Sequence, residues 1–160
     1  MTLVLTLALA LLAGCERPQP KESEETIERL RQGLPGITEK CLDTIRFGGI
    51  ESMPKPVDKC FEMEKSRRWR GVWADEFEGQ QFCAGETTSC VSNEAEPFIW
   101  LTFADGKRPT PELPSGQHYQ IEFIGRRTLR AGFYGHMGVA THEVIADRVL
   151  SITPIQKQSQ

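Results

Sequence analysis

The chain has 160 residues, of which 19 are Lys or Arg and 22 are Asp or Glu, so its formal net charge is −3 at pH 7. This near balance excludes the marked basic excess of a general nucleic-acid binder, and we expect no nucleic-acid partner. The length allows one domain with a hydrophobic core, but not comfortably two.

The first 14 residues form a short, almost wholly apolar stretch without a charged side chain. It is shorter than the ~20 residues that a membrane-spanning helix needs, and its length and small residues are typical of a cleaved export signal. The sequence Leu12-Ala13-Gly14-Cys15 resembles the lipobox of bacterial lipoproteins, which are processed by signal peptidase II. The alternative is a buried N-terminal helix, which the polar sequence ERPQPKESEE directly behind the cysteine disfavours.

The lipobox resemblance implies where in the cell the protein is located. In that family the cysteine sulfur carries a diacyl group and the new amino terminus carries a further acyl chain such as palmitate, so Cys15 would hold the protein permanently on a membrane. Glu16, in place of Asp, resembles the outer-membrane class. We therefore expect a lipid-anchored protein on the periplasmic side of a bacterial outer membrane, with residues 15–22 as lipidated cysteine and tether.

Four further cysteines form an even set, as expected in an oxidising compartment. Three pairings are possible, and we favour the one that closes two short local loops, Cys41–Cys60 and Cys83–Cys90. The alternatives are free buried thiols, a redox dithiol, and a zinc site, for which the usual C-x₂₋₄-C spacing is absent. We therefore expect no metal ion and no other cofactor.

Residues 23–66 predict a helical segment. Ser23 followed by two glutamates has the pattern of a helix start. Farther along, Ile37, Cys41 and Ile45 recur on one helical face. A second short helix is predicted to begin at Pro56.

Residues 67–156 predict five strands, folded into one globular domain with the helical segment. The short links favour antiparallel pairing throughout. Irregular alternation near Asp147 and Arg148 in the last strand predicts a β-bulge. The predicted fold class is α+β, with a five-stranded antiparallel, OB-like barrel or strongly curved sheet, and a sandwich or open sheet is the alternative.

Candidate chemistry is sparse. His136, His142 and Glu143 combine residue types that bind metals or transfer protons, but their spacing matches no zinc signature, and loop histidines with local hydrogen bonds are the common alternative.

Basic residues cluster in the first strand and after the fourth, where neighbouring strands would form one cationic rim for an anionic polymer or a protein. Clustered basic residues more commonly form a solvated rim of salt bridges with acids of the same chain. The candidate rim comprises Arg67, Arg68, Trp69, Arg70, Arg126, Arg127, Arg130 and Tyr134.

Residues 123–152 resemble the C-terminal part of small uncharacterised proteobacterial lipoproteins. This resemblance implies no activity, only that the glycines there hold loop geometry, namely Gly125, Gly132, Gly135 and Gly138. The working hypothesis is a non-catalytic, lipid-anchored binding module for an envelope polymer or protein, presenting the rim or the loop from Gly132 to Thr141. The alternatives are a tethered inhibitor, such as an immunity protein against a periplasmic toxin, and an enzyme that uses the histidines. The oligomeric state stays open.

Overall fold

The computed structural model describes residues 19–76, 79–86, 88–90, 98–106, 109 and 114–156. The predicted signal sequence and the predicted lipidation site, Cys15, lie outside these residues. Within the described part of the chain, no helix has the length and apolar character required to cross a bilayer.

Two α-helices open the fold, and each begins at a capping side chain. Ser23 accepts a hydrogen bond from the N–H of Thr26 at 3.1 Å, and Thr38 accepts one from the N–H of Cys41 at 3.3 Å. These bonds satisfy backbone donors that a helix start would otherwise leave unpaired. The helices are α1 (Glu24–Gly33) and α2 (Glu39–Gly48), and single 3₁₀ turns follow at Ile50–Ser52, Val57–Lys59 and, much later, His136–Gly138.

The helix predicted to begin at Pro56 is only a single 3₁₀ turn, Val57–Lys59. Phe61 leaves the helical path because it forms an isolated antiparallel bridge with Ile37. Cys60 is bonded to Cys41 of α2, which fixes this stretch of chain against the helix. The second disulfide joins Cys83 and Cys90, so both favoured cysteine pairs are present.

Five strands form a closed barrel in the order β1-β2-β3-β5-β4. This confirms the α+β class and the OB-like barrel. The strands are β1 (Arg67–Glu76), β2 (Gly79–Ala84), β3 (Ile99–Phe103), β4 (Gln117–Arg127) and β5 (His142–Pro154).

The prediction of purely antiparallel strands is wrong at one place. β3 and β5 are parallel, with Ile99 opposite His142 and Phe103 opposite Ala146. A closed ring with an odd number of strands cannot alternate its direction all the way round, so five strands require a parallel pair. The chain meets this requirement by passing through β4 between β3 and β5, whereas the other four neighbouring pairs are antiparallel.

The barrel interior is aromatic. Every second side chain along the strands points inward and meets the others there. The centre of the Trp73 ring lies 5.3 Å from that of Phe103 and 5.4 Å from that of Tyr119. The predicted bulge in β5 is confirmed, because the register with β4 shifts twice, once across Asp147 and once across Leu150. Such bulges bend a long strand around a small barrel.

The helical segment packs against the outside of the barrel and forms a second core with it. The apolar side of α2 and the rings that follow it meet an outward-facing residue of β5 and part of the link from β4 to β5. This arrangement covers the barrel wall formed by β3 and β5. The second core includes Ile27, Leu42, Ile45, Phe61, Tyr134, Ala140 and Ile145.

Candidate functional site

The link between β4 and β5, residues 128–141, is the most conspicuous surface feature, and we call it the β4–β5 loop. Its backbone continues the pairing of the two strands: the N–H of Gly132 donates to the carbonyl of Thr141 at 2.9 Å. Farther out, Tyr134 and Ala140 exchange two bonds of 2.8 and 3.0 Å. Because its backbone groups are paired in this way, the loop has a defined shape.

Gly135 and Gly138 set the turn at the end of this loop with positive φ angles, whereas Gly125, also expected to hold loop geometry, lies within β4. Gly135 has φ +74°, and a Cβ atom there would lie 2.3 Å from the Trp100 ring. Only glycine allows this contact together with that backbone angle. The next turn brings Met137 to φ +55°, an uncommon conformation for a residue with a side chain.

The loop also contacts the end of α1. The N–H of Phe133 donates to the carbonyl of Gly33 at 3.0 Å. A Cβ at Gly33 would lie 3.2 Å from the Phe133 ring, so the ring rests against the helix backbone. The two elements border an open, mostly apolar groove, which is lined by Thr26, Arg29, Leu30, Gly33, Leu34 and Phe133.

Leu129, at the start of the loop, is 45% exposed, and three large apolar side chains farther along the loop are more exposed. Phe133 is 67%, Met137 86% and Val139 54% exposed. They are neighbours, because a Cβ at Gly138, the residue between Met137 and Val139, would lie 3.0 Å from the Cβ of Phe133. We call these three residues the loop patch. A contiguous apolar patch on a fixed loop is typical of a binding surface.

A buried polar cluster lies at the base of the loop. The carboxyl group of Glu143 accepts a hydrogen bond from the hydroxyl of Thr102 at 2.9 Å, and only 5% of the residue is exposed. Burial raises the pKa of Glu143 to about 7, while the Thr102 bond and the charge of Lys55 act in the opposite direction. Burial likewise raises the pKa of Tyr134.

The three residues of the enzyme hypothesis do not meet at one point. His142 bonds through Nδ1 to the carbonyl of Thr128 at 3.0 Å, and burial lowers its pKa. The adjacent Glu143 points the other way, towards Thr102, since neighbouring side chains of a strand face opposite sides. His136 lies in the exposed 3₁₀ turn of the loop. No group of three or more metal-ligating side chains occurs among the described residues.

The basic residues of the candidate rim are brought together in part. β1 and β4 are neighbours, and Arg68 lies opposite Ile124. Most of these arginines, however, bind acids of the chain: Arg68 pairs with Glu122, and its hydrogen bond lowers the pKa of that carboxyl group. The guanidinium of Arg67 covers the Trp69 ring at 3.8 Å.

The arginines of β4 also have internal partners. Arg126 donates to Asp147 of β5 at 2.8 Å and to Asp58 of the helical segment at 3.1 Å. These hydrogen bonds raise the pKa of Arg126, and the bond to Asp147 contributes most. Arg127 pairs with Glu64. This part of the candidate rim is therefore a set of internal salt bridges, the alternative to a binding surface.

The two aromatic residues assigned to the rim are buried. Trp69 faces the barrel interior, and its indole N–H donates to the carbonyl of Gly125 at 3.1 Å. Tyr134 belongs to the second core, where its ring meets Phe61 edge-on at 5.3 Å. Neither ring offers a face to a ligand.

Arg70 and Arg130 are the rim arginines that form no ion pair within the described residues. Arg130 is exposed and lies against Gly36 in the turn between α1 and α2, three residues before Phe133 of the loop patch. Arg70 is the fourth residue of β1, on the outer face of the barrel. It borders a shallow polar groove with Glu86, Gln120, Glu122, Ser151 and Thr153.

No family model, curated protein or solved structure is significantly similar to the chain. The site therefore has to be interpreted from its own residues. Sequence reasoning selected the loop but not its side chains, Phe133, Met137 and Val139. The available signal was the segment GFYGHMGV, in which large apolar residues alternate with glycines instead of the polar residues usual in a surface loop.

Proposed function

We propose that this protein is a lipid-anchored protein of the bacterial cell envelope that binds a protein partner through the β4–β5 loop, without catalysis of its own. The observation that carries the proposal is the loop patch, three exposed apolar side chains on a loop whose two arms are joined by backbone hydrogen bonds between Gly132 and Thr141 and between Tyr134 and Ala140. Aromatic residues and methionine are enriched at the centres of protein interfaces. An apolar patch of this kind favours a protein over a charged polymer.

The arrangement of charge supports the same choice. An anionic polymer would need accessible cations, yet Arg68, Arg126 and Arg127 are already bound to acids of the chain. Arg130, which precedes Phe133 of the loop patch by three residues, is exposed. We therefore infer that the partner presents an apolar pocket with an acidic group at its edge.

The construction of the loop favours tight binding. Gly135 fits against the Trp100 ring, and Phe133 is bonded to the end of α1, so two separate elements support the loop. A surface that already has its bound shape loses little conformational entropy when the partner binds. The patch is thus suited to insertion into a concave partner.

The proposed address has independent support from the cysteines. The disulfides Cys41–Cys60 and Cys83–Cys90 are of the kind that persists outside the reducing cytoplasm. Together with the lipobox at Cys15, they suit a protein held on the periplasmic side of the outer membrane.

The experiment compares two charge substitutions at exposed apolar residues. Chains bearing Met137→Asp or Leu150→Asp are immobilised beside the natural chain and exposed to envelope extract under non-reducing conditions. Both side chains are exposed, Met137 on the loop and Leu150 on a bulge of β5. We expect Met137→Asp to lose the captured protein at least about tenfold, because a charge cannot enter an apolar pocket without a large desolvation cost. Leu150→Asp should keep it, and equal retention by both chains would contradict the proposal.

A tethered inhibitor is the second candidate, favoured by the single protruding tip of the loop. Met137 is held in the left-handed region and is the most exposed of the three patch side chains. A narrow apolar tip is suited to the cleft of a toxin enzyme. Cells that carry Met137→Asp should then die only when the toxin is delivered to the periplasm, whereas cells that carry Leu150→Asp should survive.

A further inference from the structure

The chain that leads to the anchor is fixed to one end of α2. The backbone N–H groups of Lys21 and Glu22 both donate to the carbonyl of Arg46, at 2.8 and 3.1 Å. The Glu22 carboxylate lies next to Gly49, where a Cβ would be 3.7 Å away. The tether therefore leaves the domain at the C-terminal end of α2.

The length of the tether limits how far this end can be from the membrane. Cys15 precedes Lys21 by six residues, and an extended chain spans at most ~3.3–3.6 Å per residue, about 20 Å in all. This step rests on the lipidation of Cys15 in the proposed function. With the lipid inserted, the end of α2 must lie within about 20 Å of the headgroups.

Two large apolar side chains are exposed at that same end. Phe47 is 40% and Ile50 is 53% exposed, on either side of the two glycines that end α2. We call them the tether-side patch. Side chains of this kind enter the boundary between headgroups and acyl chains when an anchor holds them there.

The charges near the tether-side patch indicate the kind of lipid surface. Arg46 pairs with Glu24 at 3.0 Å and with Asp43, so its charge is already compensated. Lys21 is followed in the chain by the acids Glu22 and Glu24. Without an excess of positive charge, the patch is suited to zwitterionic headgroups rather than to anionic ones.

We propose that Phe47 and Ile50 rest on the zwitterionic membrane surface that holds the Cys15 lipid, and that the loop patch consequently faces away from it. α1 begins beside the tether and ends at Gly33, which contacts Phe133. Its ten residues span about 15 Å. The two apolar patches thus lie towards opposite ends of α1, one for the membrane and one for the partner.

The test measures contact with lipid at each patch separately. The lipidated full chain is reconstituted into phosphatidylcholine vesicles with brominated acyl chains, which quench tryptophan at short range. Three variants are compared after subtraction of the natural chain's fluorescence: Phe47→Trp, Ile50→Trp and Met137→Trp. We expect bromine to remove the added fluorescence of the first two and to leave that of Met137→Trp unchanged. The non-acylated Cys15→Ala chain carrying Phe47→Trp should lose the quenching.

The outcomes separate this inference from the proposed function. If the mass of the natural chain shows no acyl groups, the anchored address itself fails, whatever the vesicles show. If the chain is acylated but Met137→Trp is quenched instead, the loop patch is the membrane contact and the orientation proposed above is overturned. Absence of quenching at all three positions in the acylated chain also overturns it.

Discussion

At the scale of single residues, Glu143 combines deep burial with a strongly raised pKa. It lies on the outward side of β5, bonded to Thr102 and beneath the base of the β4–β5 loop. Burial raises its pKa to about 7, so the folded protein prefers the carboxyl group protonated. The unfolded chain has no such preference at neutral pH, which makes stability depend on pH.

We predict that Glu143→Gln removes this dependence. A raised folded-state pKa gives stability that is present below the unfolded value of about 4.5 and is lost as pH rises through about 7. The loss is on the order of 3 kcal/mol for a carboxyl group in this position. The glutamine variant keeps the shape and carries no charge, so it should be the more stable protein at pH 8 and similar to the natural chain at pH 4.5.

Denaturant unfolding at several pH values from 4.5 to 8 measures this difference directly. His142 contributes with the opposite sign, because its pKa is lowered and its stabilising neutral form is lost as pH falls. The comparison between the two chains cancels this contribution, since both contain His142. A constant difference across the pH range would show that Glu143 does not titrate as described.

At the scale of elements, the β4–β5 loop depends on the fit of Gly135 against Trp100. Gly85 provides a matched control, since it also has a positive φ, +83°, but nothing lies within 4 Å of its Cβ position. We predict that Gly85→Ala costs about 1 kcal/mol, the cost of the backbone angle alone. Gly135→Ala should cost about 3 kcal/mol, because the φ of +74° and ψ of −166° at Gly135 suit only glycine and the Trp100 ring must also move.

Urea unfolding measures how much more stability Gly135→Ala loses than Gly85→Ala. The same proteins can be tested for partner capture, where Gly135→Ala should weaken binding by displacing the loop patch, and Gly85→Ala should not. Equal losses of stability in both variants would mean that the close approach to Trp100 does not determine the shape of the loop.

The sequence revealed the elements better than their arrangement. Alternation at Trp69 and Trp73 located β1, and the Ser23 pattern located the start of α1, because both signals come from neighbours along the chain. The parallel pairing of β3 with β5 was missed because it follows from closing the ring and not from any local pattern. The bulge at Asp147 was found because it interrupts an otherwise regular alternation.

The candidate site was predicted only in outline for a similar reason. Clustered arginines can be seen in a sequence, but their partners cannot: Asp58 lies 68 residues from Arg126. Trp69 was assigned to a surface although its alternation with Trp73 also fits the barrel interior, where both rings lie. Side-chain direction depends on which face of a strand is covered, and that is set by distant parts of the chain.

At the scale of the whole molecule, Arg126 joins three parts of the fold. It extends from β4 to Asp147 on β5 and to Asp58 in the helical segment. Sequence reasoning placed this arginine on a candidate binding rim. The ion pairs instead imply that its removal loosens the contact between the helical segment and the barrel.

We predict that Arg126→Met lowers the free energy of unfolding by about 1–3 kcal/mol, because two neighbouring carboxylates lose their shared cation and repel each other. The guanidinium is about one-third exposed, so solvent screening places the effect towards the lower end. Arg130→Met is the matched control: it removes an exposed arginine without an ion pair and should change stability by less than about 0.5 kcal/mol.

In partner capture the two substitutions should act the other way round. Arg130→Met should capture less partner, and Arg126→Met, at a temperature where it is folded, should capture nearly as much as the natural chain. If both substitutions destabilise equally, the Arg126 bridge does not hold the helical segment, and if both weaken capture equally, the binding surface extends beyond the loop patch to the rim.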